Sequence, residues 1–326
     1  MTPYAGASPW REVWRRFRRS TIAIAALVYG CFVTVCAVFA PLIANSKPLI
    51  LRTPEGIRFP AMHDFLGEQE GIEERFEGKV LLRPIVAHSP NEIDFIRRLE
   101  PPSPEHHFGT DDVGRDVLTR LIHGSRVSLT VGFLAAAIAL LVGGVLGAVA
   151  GFYGGAFDWI VSRVIEIVLC FPFLFLVVAI VGLFRPSMYT IVIALGVTTW
   201  TDAARYVRGE ILRIRELEFA HAARAIGARD LRIIFRHLLP NAMAPALVSA
   251  NFSVATAILT ESSLSFLGIG VPLPAPSWGG ILSLAEQHID YAWWLVLFPG
   301  VAIFTTVAAF NVVGDRLREA LDPRTQ

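Results

Sequence analysis

Six apolar runs set the limits on what this chain can fold into. The first is Thr21 to Ala44, and five more lie at about 127–150, 158–184, 187–207, 242–268 and 291–313. A helix needs ~20 residues to cross a ~30 Å hydrocarbon core, and every run is long enough. In lipid, only helices and closed barrels satisfy the backbone polar groups. The sequence therefore predicts an all-α integral membrane protein with six transmembrane helices. Composition agrees: 54% of residues are hydrophobic, 17% are charged, and the mean hydropathy is +0.53. A net charge of +1 gives no case for a nucleic-acid partner. Membrane lipid is the expected surrounding.

A basic stretch (Arg11, Arg15, Arg16, Arg18 and Arg19 against Glu12) precedes the first run, as in a signal peptide. The run is longer than a typical signal core and more spans follow, so an uncleaved first span is expected. The arginine pairs match a twin-arginine export signal poorly. Residues 45–126 form the only long polar region, with 11 basic and 14 acidic residues. Leu49 to Phe59 predicts two short strands around the turn Thr53-Pro54-Glu55-Gly56. Asp111 to Gly124 predicts a polar helix leading into the second span. The expected division is a tail at 1–20, a first helix at 21–44, an insert and cap at 45–126, a core at 127–313 and a tail at 314–326.

Arginine placement orients the spans. With six crossings, the N-terminal tail, the 151–157 loop, the 208–240 loop and the C-terminal tail share one side. The 202–237 segment carries 8 basic and 5 acidic residues, whereas the short loops opposite hold only Arg185. The positive-inside rule then puts both termini and the 208–240 loop in the cytoplasm and the insert outside. Gly143, Gly147 and Gly151, four apart in the second span, predict a close helix–helix approach. Cys31, Cys36 and Cys170 all lie in apolar runs and are read as packing residues rather than a disulfide framework.

Glu218 to Pro240 is a polar, arginine-studded island between spans. Phe219, Ala222, Ala223 and Ile226 recur at helical spacing. In a second helix, Leu231, Ile234, Phe235 and Leu238 make one face and Arg229, Arg232 and Arg236 another. Gly227 separates the two helices and Pro240 is expected to end the second. Such a hairpin lies on lipid or plugs into a partner protein.

The order His221-Ala222-Ala223, three residues, Gly227, nine residues, His237-x-Leu239-Pro240 resembles the EAA loop of ABC-importer permeases. His221 stands where the family usually has Glu. Two further stretches are similar to the peptide and nickel branch of that family. They are His107-Phe108-Gly109-Thr110-Asp111 with Gly114-Arg115-Asp116-Val117-Leu118, and Glu261 with Leu264-Ser265-Phe266-Leu267-Gly268 and Pro276-Ser277-Trp278-Gly279. Ile43-Ala44-Asn45-x-Lys47-Pro48-Leu49 resembles the longer C-type permeases of oligopeptide and microcin-type peptide importers.

The resemblance implies the type I importer permease fold in a bacterial inner membrane. It also implies that Glu218, Ala222, Ala223, Arg224, Gly227, Arg229 and Pro240 belong to a loop that couples to an ATPase. The implied partners are two ABC ATPase subunits, a homologous second permease and an extracytoplasmic solute-binding protein. ATP and Mg would be bound by the ATPase subunits, since Lys47 and Lys79 are the only lysines and neither stands in G-x-x-x-x-G-K-[ST]. No catalytic residue and no metal site is expected in this chain.

Charged residues inside spans carry the remaining expectations. Arg163 and Glu166 are three apart and should pair. Glu261 has no basic neighbour in sequence, so it should face a cavity or a partner, with a substrate pathway as one reading. Asp111, Asp112 and Asp116 read as helix-start carboxylates rather than a cation site. His106-His107 is a weak metal signal. Trp293 and Trp294 are expected at the outer interface. Three alternatives to a peptide importer stay open: a nickel or metal-chelate importer, a receptor or scaffold, and an intramembrane enzyme. For the last, Ser262, Ser263 and Ser265 lack a nearby His or Asp.

Overall fold

The computed structural model describes residues 9–54, 56–66 and 79–321. Residues 1–8, 55, 67–78 and 322–326, which belong to the expected tails, turn and insert, lie outside the described residues. The helices are α1 (Pro9–Phe17), α2 (Thr21–Val38), α3 (Ala40–Ile43), α4 (Pro60–Leu66), α5 (Val117–Tyr153), α6 (Gly155–Cys170), α7 (Phe173–Leu183), α8 (Met188–Ile214), α9 (Glu218–Ala225), α10 (Asp230–Arg232), α11 (Leu239–Phe266), α12 (Trp278–Leu284) and α13 (Trp294–Leu321). Three strands are present: β1 (Ile50–Thr53), β2 (Gly56–Arg58) and β3 (Lys79–Leu82).

Thr21–Val38, Val117–Tyr153, Asp230–Phe266 and Trp294–Leu321 are each long and apolar enough to cross a membrane. The expected span at 158–184 is not one rod. It is α6 and α7, bent by 91°. The cause is Pro172: it has no N–H to donate, and its ring pushes Phe171 out of the helical region, to φ −90° and ψ 136°. Helix α8 has 27 residues, but Asp202, Arg205, Arg208, Glu210 and Arg213 make its second half polar.

The chain forms two compact units. Unit 1 comprises 1–30, 131–260 and 306–326. Its central contact is the glycine row of α5 against α8. A Cβ on Gly143 would stand 2.4 Å from the Trp200 carbonyl oxygen, and one on Gly147 would stand 2.4 Å from that of Ala204. On Gly151 it would stand 2.9 Å from that of Arg208. Both helices step by four in the same direction, so they run parallel at backbone contact. Trp200 and Ala204 then close over Ala139, Val161 and Ile165. Arg208 holds Asp158 through both carboxylate oxygens, fastening α8 to α6. Arg163 and Glu166 do pair, on an exposed face of α6.

The ends of the chain are helical where they are described. Phe17, Ala23 and Ala320 are buried together, with Val13, Ile24, Leu27 and Val313 against them. The cysteines are free, and Cys31 and Cys170 are exposed on this chain, so they are not part of its core.

Unit 2 comprises 31–130 and 261–305. The sheet order is β2-β1-β3, all antiparallel. Thr53 pairs with Gly56 across the turn foreseen at that place. Asn45 ties the first span's exit to this sheet region: its backbone N–H donates to Val86 O at 3.0 Å and its side chain to Asp64 at 2.9 Å. Lys47 reaches the same Asp64 at 2.7 Å. Helix α5 begins at Val117, later than the polar helix expected from Asp111. Asp116 caps it by accepting from Thr119 N at 2.7 Å. Asp111 is wholly buried against Arg115 at 2.6 Å, so these carboxylates organise the helix start, as the sequence suggested.

Trp293 is half exposed, but Trp294 is 3% exposed and donates from Nε1 to Thr110 O at 3.0 Å. It is a core residue rather than an interface marker, because its neighbours Val117, Ile281 and Leu295 are buried around it. Trp278 likewise donates to Leu121 O at 3.0 Å.

The glycine row yields a paired test. Gly147→Ala should lower the melting temperature of the purified protein, because overpacking a closed contact costs about 1–3 kcal/mol. Gly144→Ala, at a position with nothing within 4 Å, should not lower it, because Ala is the better helix former. Thermal unfolding of both variants in detergent checks this.

Candidate functional site

Unit 1 holds two features of functional interest, the 208–240 loop and a cavity beside it. In the loop, α9 runs from Glu218 to Ala225 and ends at Gly227. That residue has φ +80°, a conformation that costs an L side chain about 1–2 kcal/mol. Gly227 N–H donates to Arg224 O at 2.9 Å and Ala228 N–H to Ala223 O at 3.1 Å. This pair of bonds closes the helix end and reverses the chain.

Pro240 does not end the second helix. Helix Asp230–Phe266 runs through it unbroken. Residues Ile233–Leu238 are wound as a π-helix, with Leu239 N–H bonded five residues back to Ile234 O. The wide turn lets Pro240, which has no N–H, enter α11 without breaking it. The loop therefore flows directly into a membrane-length helix.

The π turn also shifts the phase of the side chains. Buried positions are Ala220 and Ala223 on α9, then Ile233, Ile234 and Leu238. They pack on Phe152 of α5, on Val207, Ile211 and Ile214 of α8, and on Ala242 and Ala246 of α11. Burial of each large aliphatic side chain contributes about 1.5–3 kcal/mol. The predicted apolar faces are thus split: Ala223, Ile234 and Leu238 are inside, whereas Phe219, Ile226, Leu231 and Phe235 are exposed. Ile226 is 84% exposed and Leu231 63%.

Around that apolar knob, Glu218, Ala222, Arg224 and Arg229 are also exposed. The Arg224 guanidinium lies 5.1 Å from the centre of the Phe152 ring. Arg215 donates to Gly151 O at 2.7 Å, clasping the end of α5. His221 Nε2 is 3.9 Å from Glu216.

The cavity has a volume of about 850 Å³. On α8 it is lined by Thr199, Asp202, Tyr206, Glu210 and Arg213, and on α11 by Asn241, Pro245, Ser249, Phe252, Ser253 and Thr256. The α8 set recurs every three or four residues, as do Asn241, Pro245, Ser249, Phe252 and Thr256 with Ser253 beside them, so each set is one helix face. Asp202, Ser249 and Ser253 interrupt apolar runs of the sequence and are the signal that could have marked this face. Glu261 instead lies in unit 2, wholly buried. One oxygen accepts from Ser128 Oγ at 2.9 Å and the other from Ser265 Oγ at 2.7 Å.

The sequence matches the family described as binding-protein-dependent transport system inner membrane component over residues 143–326. It matches the N-terminal TM domain of oligopeptide transport permease C over 8–54. The chain belongs to the binding-protein-dependent inner membrane permeases.

Full-length relatives agree. The dipeptide transport system permease protein DppC of Alkalihalophilus pseudofirmus is 39% identical over 98% of this chain and 92% of its own. The oligopeptide transport system permease protein OppC of Bacillus subtilis is 34% identical over 97% and 90%. A chain from inward-facing conformations of the MetNI methionine ABC transporter shares the fold, with a TM-score of 0.51 and 22% identity over 63% of this chain and 97% of that one. As a family member the chain is a transporter subunit of ABC importers, not an enzyme, and resides in the inner membrane.

The left-handed turn generates its own test. Gly227→Val should loosen the loop, raising hydrogen-exchange rates of the 218–240 amides, because a β-branched residue resists positive φ. Gly227→Asn should be tolerated, since Asn enters that region readily.

Proposed function

We propose that the chain is one half of a peptide-import pathway and that its 218–240 hairpin is the plug for an ATPase subunit. The observation that carries the coupling role is the hairpin's two faces. Inward, Ala223, Ile233, Ile234 and Leu238 lock it to α5, α8 and α11. Outward, it presents Phe219, Ile226, Leu231 and Phe235 among arginines, an apolar surface that water does not favour. Force applied to such a knob passes through packed side chains into three helices. Glu218, Arg224 and Arg229 supply charges at the rim, Ala222 permits close approach, and Gly227 and Pro240 set the turn and its continuation into α11.

Six crossings fit this reading: α2, α5, the bent pair α6 and α7, α8, α11 and α13. At 1.5 Å per residue, the 27 residues of α8 reach about 40 Å, enough to span. In its polar second half Asp202, Glu210 and Arg213 line the cavity and Arg208 pairs with Asp158, which accounts for its low hydropathy. Arginine placement supports cytoplasmic termini and hairpin, with the 45–116 region outside. A second, homologous permease would close the other side of the cavity. Two ATPase subunits would carry ATP and Mg, and a solute-binding protein would deliver cargo to the outer face. The peptide assignment rests on relatives named as dipeptide and oligopeptide permeases. Glu261, held between Ser128 and Ser265, acts in this scheme as a buried brace rather than a cargo contact.

Reconstitution with the ATPase, second permease and binding protein tests both halves. Ile226→Asp with Leu231→Asp should leave the permease folded but abolish ATPase retention and uptake of labelled peptide. Ser253→Trp should keep the ATPase bound while blocking uptake, because it fills the cavity. Full uptake by either variant contradicts the corresponding half. Uptake of a nickel chelate with no uptake of peptide contradicts the cargo.

A further inference from the structure

We infer that His88, His106 and Asp116 form a binding site for a single divalent transition-metal ion, with zinc as the ion of best fit. The three residues belong to the stretch of unit 2 that leads into α5. One ligand atom from each lies within 4.8 Å of the others. His106 and Asp116 are 5% and 3% exposed, and His88 is half buried. His106 Nδ1 stands 2.9 Å from Asp116 Oδ2. The His88 and His106 rings face each other with centroids 4.6 Å apart and planes 33° from parallel.

The surroundings are built rather than adventitious. The backbone of His106 is fixed by three hydrogen bonds. Its N–H donates to Ser103 Oγ at 3.1 Å, and its carbonyl accepts from Ser103 N at 2.9 Å and Gly109 N at 2.8 Å. Asp116 is held through its other oxygen by Thr119 N at 2.7 Å, leaving Oδ2 for the site. A cavity of about 180 Å³ opens onto all three residues, with room for a water in an open coordination position. The same cavity contains one cation, Arg97, which is neutralised by its ion pair with Glu105. Glu105 is thereby engaged, and Glu92 accepts from Ser89 N at 3.1 Å. Neither is needed to complete the set.

The donor types choose the ion. Two imidazole nitrogens and one carboxylate oxygen suit zinc, which takes such ligands at about 2.0–2.2 Å with an open fourth position. Magnesium and calcium prefer all-oxygen shells, so they fit poorly. Ligand atoms around a tetrahedral ion stand closer than 4.8 Å, so a small swing of the half-buried His88 ring closes the set. On binding, the metal takes the place between His106 Nδ1 and Asp116 Oδ2, and the neutral imidazole carries its single proton on Nε2, so no proton is released. The ion would staple the segment at His88 to the first turn of α5. This site shares no residue with the cavity of unit 1 and does not rest on the cargo assignment.

The test uses the full-length purified protein, stripped with chelator and dialysed. Zinc added to wild type should bind at one ion per chain, measured by calorimetry and elemental analysis, and should raise the melting temperature. Co²⁺ in its place should give visible d–d absorption. His88→Ala should lose the ion, the absorption and the thermal shift while keeping the unliganded melting temperature. His107→Ala, at an exposed position outside the set, should keep all three. Millimolar Mg²⁺ should have no effect. Failure of wild type to bind zinc, or equal binding by His88→Ala, overturns the site. Loss of binding in His107→Ala reassigns the ligands and equally overturns it.

Discussion

The rest of the structure depends on one packed junction, where the hairpin's inner face meets the ends of α5, α8 and α11. Ala220, Ala223, Ile233, Ile234 and Leu238 are buried there against Phe152, Ile211 and Ile214. Without that junction the hairpin would be an amphipathic strand of chain lying on a surface. With it, the exposed Ile226 and Leu231 are rigidly linked to helices that line a polar cavity. The glycine row of α5 contributes to the same rigidity: backbone contact between α5 and α8 leaves no compliant side-chain layer. In the coupling role proposed above, displacement at the knob would be passed on rather than absorbed, as expected of close-packed interiors.

The motif residues of the family divide the labour in a way their spelling does not announce. His107 to Leu118, Glu261 to Gly268 and Pro276 to Gly279 all fall in unit 2. There Asp111 and Asp116 order the start of α5, Trp278 and Trp294 donate to backbone carbonyls, and Ser128 and Ser265 enclose Glu261. The loop and the cavity, by contrast, belong to unit 1. One set of motifs builds a scaffold and the other presents a surface.

Much of this was legible in the sequence because it rests on local chemistry. The strands around Thr53 and Gly56, the close approach at Gly143, Gly147 and Gly151, the turn at Gly227 and the Arg163–Glu166 pair each follow from a few adjacent residues. What was not legible depends on backbone winding or on distant partners. The π turn at Ile233–Leu238 moved Leu231 and Phe235 outward and carried the helix through Pro240, which a 3.6-residue period cannot foresee. Pro172 bent a run that hydropathy treats as continuous. Trp294 was read as an interface marker because its acceptor, Thr110, lies far away in the chain, and Ser128 is equally remote from Glu261. The approach of His88 to His106 was hidden for another reason: it depends on how the irregular chain between them folds back.

The central claim is that the outer face of the hairpin is a cytoplasmic docking surface for an ATPase. It is tested most directly by a single cysteine at Ile226 in a cysteine-free chain, probed in membrane vesicles with a membrane-impermeant maleimide. The account predicts labelling only from the cytoplasmic side, and protection from labelling when the ATPase subunit is bound. Labelling from the opposite side, or equal labelling with and without the ATPase, would contradict it.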